Sequence, residues 1–88
     1  MKYAQSPGMS FEDFQDGAIL IDIDGGRVIE FNASAKFLWE SLPGSATKDE
    51  LMAALCQNYP DLDNAQAERD VALFLEESLA CGAVIALE

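Results

Sequence analysis

Eighty-eight residues fit one domain spanning 1–88, since a domain usually takes on the order of 100–200 residues. Half of them are hydrophobic, so the chain is globular, while sixteen acidic against five basic side chains, net −11, argue against nucleic acid or an anionic membrane as partner. No histidine is present, which removes the commonest general base and the commonest zinc ligand, and two cysteines cannot make a disulfide scaffold.

Residues 1–16 are mixed, and a short strand fits around Met9–Phe14. From Ala18 the pattern sharpens. Ile19, Ile21 and Ile23 share one face of a strand and Asp22 and Asp24 the other. Gly25-Gly26 supplies the positive φ angles of a tight hairpin, and Arg27–Phe31 returns as the partner strand. Asn32 can cap a helix, along which Ala35, Leu38, Trp39 and Leu42 recur at helical spacing until Pro43-Gly44 stops it. Thr47 with Glu50 is a capping box opening a second helix, with Leu51, Ala54 and Leu55 on one face and Tyr59-Pro60 at its end. Asp63 or Asn64 caps a third helix running to about Cys81, where Gly82 stops it. Val84–Leu87 is a last strand or an extended tail. The predicted fold is α+β: a small N-terminal antiparallel sheet of two or three strands, then three helices, in the manner of a winged helix-turn-helix.

The chemistry of catalysis is missing. Without histidine the serine triad is impossible. Cys56 and Cys81 lie far apart in sequence, in no CxxC pair and with no basic neighbour to lower a thiol pKa, and read as packing residues. Asp22-Ile23-Asp24-Gly25-Gly26 lacks the ligand series of a calcium loop, and no GK[ST] follows it to make a phosphate loop. The chain therefore reads as no enzyme, with neither metal nor cofactor. No apolar run approaches the eighteen or so residues of a membrane span, and no signal peptide opens the chain, so the expected compartment is the cytoplasm and the expected state of both cysteines is the reduced thiol.

Two features point to binding. At about 100° per residue, Val71, Phe74, Leu75, Ser78 and Leu79 form one stripe of the third helix, its core face. Leu73 falls on the opposite side, either as an ordinary exposed leucine or as the wall of a groove rimmed by Arg69, Asp70 and Glu77. Arg27–Phe31 reads as an edge strand, whose unpaired amides and carbonyls can accept an extended peptide. Arg27 and Glu30 would add to the rim and Val28 to the apolar contact. Which face of the strand looks into the groove stays open, so Val28 and Ile29 are not separated.

Other readings are weaker. A phosphopantetheine carrier needs its serine at a helix start, whereas Ser41 and Ser78, in Glu-Ser-Leu contexts, fall inside or late in helices. A DNA-binding winged helix is at odds with the charge and with a single arginine on the third helix. A scaffold subunit without ligand is the remaining alternative.

The ordered set Leu20-Ile21-Asp22, Gly26-Arg27, Phe31-Asn32, Ala35, Trp39, Leu42, Gly44, Leu51, Leu55, Tyr59, Asp70-Val71, Phe74-Leu75, Leu79 and Gly82 resembles the PqqD-like family, over residues 18–87. Ala83-Val84 is a small departure from that family's usual ending. The resemblance implies a RiPP recognition element, a small winged-helix-like and non-catalytic domain. Such domains bind the leader segment of a ribosomally made precursor peptide and deliver it to modifying enzymes. The leader would pair as an added strand on Arg27–Phe31 (Arg27, Val28, Ile29, Glu30, Phe31), with its side chains in the cleft beside the helix Ala65–Cys81. Some relatives serve pyrroloquinoline quinone synthesis. Others serve lasso-peptide synthesis, handing the leader to a leader peptidase and a cyclase and presenting its aromatic and proline residues to apolar pockets. The hairpin Leu20–Arg27 is closer to the lasso group, because it lacks the Leu-x-Pro-Glu-type segment of the quinone group.

Overall fold

The computed structural model describes residues 1–42 and 44–87. In chain order the elements are β1 (Lys2–Gln5), β2 (Met9–Phe14), β3 (Gly17–Asp22), β4 (Val28–Asn32), α1 (Ala33–Glu40), β5 (Ala46–Thr47), α2 (Lys48–Asn58), α3 (Asn64–Cys81) and β6 (Val84–Leu87). They form an α+β fold with two antiparallel sheets, ordered β2-β3-β4 and β5-β1-β6.

The first sheet is the predicted one, with Met9–Phe14 as its third member. Pairing aligns Phe11, Leu20 and Ile29 in one row and Ser10, Ile21 and Val28 in the next. The row of Phe11, Leu20 and Ile29 enters the core, and the isoleucine face predicted from alternation lies outside: Ile21 is 37% and Ile23 68% exposed, while Ala18 and Leu20 are buried. Both faces of β3 are apolar, so alternation alone does not decide which one is covered.

The hairpin turn is longer than the two glycines suggest. Asp22 closes it, its N–H donating to the Arg27 carbonyl at 2.8 Å and its carbonyl accepting from Gly26 at 2.7 Å. Its carboxylate accepts from the Gly25 amide three residues on, at 3.0 Å, and of the two glycines only Gly26 takes a positive φ, +71°. The returning strand accordingly starts at Val28, one residue later than predicted, and ends at Asn32.

Helix ends follow their local chemistry. Asn32 caps α1 by accepting from the Ala35 amide at 2.8 Å. The helix stops at Glu40, short of the predicted Leu42. Its end tightens, with the Leu42 amide bonded to the Trp39 carbonyl at 3.1 Å, and Leu42 is buried beyond it. The expected stop at Pro43 lies outside the described residues. Thr47 and Glu50 complete the capping box of α2, and the bonds from the Thr47 backbone and hydroxyl hold the Glu50 carboxyl below the usual carboxylate range. Asp63, rather than Asn64, caps α3 through the Gln66 amide at 2.8 Å. Gly82 ends α3 at a φ of +85°, a left-handed conformation that glycine takes without strain.

The second sheet is where the structure departs most from the prediction of a single sheet followed by helices. The tail Val84–Leu87 is a strand, β6, and it pairs with β1, which also holds the two-residue β5. Trp39 ties this sheet to the first. Its ring stacks on Phe11 at 5.1 Å, its indole N–H donates to the Ala83 carbonyl at 3.1 Å, and its own carbonyl accepts from Gln5 at 2.8 Å. Lys36 anchors the β2–β3 turn by an ion pair with Asp13 and a bond to the Phe14 carbonyl at 2.8 Å, and the Asp13 hydrogen bond raises its pKa above the ordinary value. Leu38, Leu42, Leu51, Leu55, Val71, Phe74, Leu75 and Val84 fill the centre. Leu79, predicted for the core stripe, lies at the last turn of α3 and is exposed. No helix of the described residues is long and apolar enough to cross a membrane.

Candidate functional site

The strand β4 is an edge strand. It pairs with β3 on one side and with no strand on the other among the described residues. On that free side stands α3. Their backbones stay largely apart, and Phe31 and Phe74 bridge the gap with ring centroids 6.0 Å apart. The result is a cleft of about 290 Å³ lined by Ile29, Glu30, Phe31, Asn32, Ala35, Phe74, Glu77, Ser78 and Cys81.

A smaller hollow of about 120 Å³ shares Asn32, Ala35, Phe74 and Glu77 with the cleft and adds Ser34, Leu38, Asp70 and Leu73. The two make one groove running antiparallel to α3, from Ile29 and Cys81 at one end to Asn32, Asp70 and Leu73 at the other. Its floor is largely apolar because alternation in β4 turns Ile29 and Phe31 inward, and because Phe74 on α3 faces the same space. Small residues, Ala35 and Ser78, leave it open. A further hollow, about 330 Å³ in volume, lies beside the turn Phe14–Gly17 and shares Glu30 and Phe31 with the groove. That hollow lies over β3 and β4, and Glu30 borders both it and the groove.

Six of the nine predicted site residues line this groove: Ile29, Glu30, Phe31, Asp70, Leu73 and Glu77. Leu73 is 55% exposed, outside the core as the angular reading of α3 expects, and it lines the smaller hollow. The other three lie outside it. Val28 is 62% exposed and shares the outward row of Ile21. Arg27 sits in the hairpin turn with its guanidinium 3.6 Å from Asp22. Arg69 donates to the Gln66 side chain at 2.8 Å, and Gln66 in turn donates to Asp70 at 2.7 Å. Sequence reasoning missed Asn32, Ala35, Leu38, Phe74, Ser78 and Cys81, which it assigned to a cap, to helix packing or to the core, and Ser34, to which it gave no place in the groove. The strand parity that puts Phe31 on the side of Ala18 is the signal that points to them.

The carrier alternative loses its serines here. Ser78 is 2% exposed and buried in α3, and the Ser41 hydroxyl donates back to the Phe37 carbonyl at 2.8 Å. Among the described residues no group of three or more Cys, Asp or Glu is arranged to hold a metal ion. Neither Cys56 nor Cys81 is in a disulfide, and both are half-buried.

Comparison with known proteins gives two findings. The family model described as coenzyme PQQ synthesis protein D, PqqD, matches residues 17–84. The solved structure of TbiB1 in complex with the TbiA(beta) leader peptide has a similar fold, with a TM-score of 0.82 and 20% identity over 97% of this chain and 98% of that one. No curated protein matches the sequence.

Proposed function

Starting from the fact that this chain belongs to the PqqD family, we propose that it is a non-catalytic, single-domain RiPP recognition element over residues 1–88, with a winged-helix-like core, that captures the leader segment of a ribosomally made precursor peptide. The observation that carries this reading is the unpaired edge of β4 beside an apolar groove walled by α3. An extended peptide added to β4 satisfies the strand's free amides and carbonyls and sends alternate side chains into the groove, so main-chain bonds supply affinity and the pockets supply specificity. That a protein of similar fold is found with a leader peptide supports the same reading.

The pathway we favour is of the lasso type. There the partners are a leader peptidase and a cyclase, and the inward leader residues are an aromatic and a proline seated over Ile29, Phe31 and Phe74. The PqqD-type role in pyrroloquinoline quinone synthesis is the alternative. Both place the protein in the cytoplasm, where Cys56 and Cys81 remain thiols.

The test is a titration of labelled leader peptides, from precursor genes neighbouring this one, against the purified protein. Saturable binding by one leader, lost when its aromatic or proline is replaced, establishes the role and identifies the pathway. Failure of every neighbouring leader to bind overturns it.

A further inference from the structure

The charges along the groove are one-sided. Glu77 projects from α3 at the junction of the two hollows, Asp70 stands one end further on, and Glu30 lies on the free edge of β4, bordering both the groove and the hollow beside the turn Phe14–Gly17. Neither Glu30 nor Glu77 has an ion-pair partner among the described residues. Of the nearby cations, Arg27, whose guanidinium lies beside Gly82 past the Cys81 end, is paired with Asp22 at 3.6 Å, and Arg69 is held by the Gln66 side chain at 2.8 Å; neither lines the groove. The whole chain adds a net −11 to this field.

We infer that the groove selects a basic strand: an extended segment with a lysine or arginine placed to meet Glu77 on the inward side or Glu30 on the outward side, between apolar inward residues. This inference rests on the peptide-binding reading above and names the chemistry of its partner. A strand added to β4 alternates its side chains between the two faces, so successive residues meet first one carboxylate and then the other. A cation there gains attraction and brings its apolar stem over Phe31 and Phe74, whereas an acidic segment meets like charge on both sides. The long-range field works in the same direction and speeds encounter with cationic segments.

The experiment uses the full chain with three forms of each neighbouring leader: natural, with its lysines and arginines changed to glutamine, and with them changed to glutamate. Binding is measured across a range of salt concentration, for the wild type and for the charge-reversed variants Glu77→Lys and Glu30→Lys, each checked for an unchanged circular dichroism spectrum. The natural leader should bind most tightly, weaken with salt, and lose about five- to tenfold in affinity with either variant. The glutamate leader should regain affinity for the lysine variants. Equal binding of all three leader forms at all salt concentrations overturns the inference and leaves the peptide-binding reading standing. Binding by no leader in any form overturns both.

Discussion

Phe31 on β4 and Phe74 on α3 meet with ring centroids 6.0 Å apart at an angle of 56°, and they are at once the edge of the core and the floor of the groove. Phe31 also faces Trp39 at 6.4 Å, so the aromatic cluster runs from the binding surface to the centre of the fold. Truncating Phe74 to alanine therefore removes both packing and floor. Urea unfolding should show a loss of about 3–5 kcal/mol, the usual cost of emptying a buried aromatic site. A loss under 1 kcal/mol would mean that α3 collapses onto β4 and closes the groove.

Leu73 tests the groove without the core. It is one residue from Phe74 yet exposed, and it lines the groove beside Asp70 and Glu77. Leu73→Asp should leave stability within about 0.5 kcal/mol of wild type, as for most surface changes, while leader affinity falls at least tenfold. Unchanged affinity in the same titration would remove Leu73 from the contact surface.

The contrast between these neighbours shows how far the residues alone could be read. Helical periodicity placed Val71, Phe74, Leu75 and Ser78 inside and Leu73 outside, because α3 is long enough for its 100° step to define a face. The caps Asn32, Thr47 and Gly82 were legible because each satisfies backbone groups within three or four residues. The second sheet was not. β1 and β5 are four and two residues long, too short for alternation to register, and they exist through pairing with each other and with β6 from the far end of the chain. Leu79 failed for a different reason: it lies at the margin of the stripe, about 80° round from Val71, and is exposed while Ser78 beside it is buried. At the site, a charged side chain next to a strand or helix looked like a rim, yet Arg27 and Arg69 turn to local partners, Asp22 across the hairpin turn and Gln66 one turn back on the same helix, which the rim reading did not weigh.

Trp39 links the two sheets, and its contributions can be separated. In Trp39→Phe the stack on Phe11 survives, and the Ala83 carbonyl keeps its bond from the Ser6 amide at 3.0 Å, so no buried acceptor is left alone. The cost should be about 1–2 kcal/mol, one net hydrogen bond with some lost packing. Trp39→Ala should cost about 3–5 kcal/mol. Equal losses for both variants, in parallel urea titrations, would place the whole effect in the indole N–H.

The capping box of α2 predicts a pH dependence with a definite sign. Glu50 accepts from the Thr47 amide at 2.9 Å and the Thr47 hydroxyl accepts from the Glu50 amide at 3.1 Å. Thr47→Ala should cost about 1 kcal/mol at neutral pH. The Glu50 pKa is lowered in the folded state, chiefly by the Thr47 backbone N–H. Its contribution is present above the unfolded carboxyl pKa and is lost as pH falls through the folded one. The stability gap between wild type and Glu50→Gln should accordingly shrink on acidification below the carboxylate range. A gap constant with pH would show that the neutral amide caps as well as the carboxylate.

Cys81 offers a reporter of occupancy inside the groove. Its thiol lies at the Ile29 end of the groove and donates to the Ser78 carbonyl at 3.6 Å, in a half-buried residue that lines the cleft. Cys56 lies instead between α2 and the start of α3, its sulfur 3.9 Å from the Asn64 side chain, outside the groove lining. A peptide strand along β4 would cover the first thiol and leave the second as it is. In Cys56→Ser protein, reaction with a disulfide reagent such as Ellman's should slow in proportion to the fraction of leader bound. In Cys81→Ser protein the leader should leave the rate unchanged. The converse follows from the same geometry, because a bulky adduct on Cys81 occupies the space the inward side chains need, so labelled protein should bind leader at least tenfold more weakly. Equal Cys81 reactivity with and without saturating leader would place the peptide elsewhere on the surface, whatever its affinity.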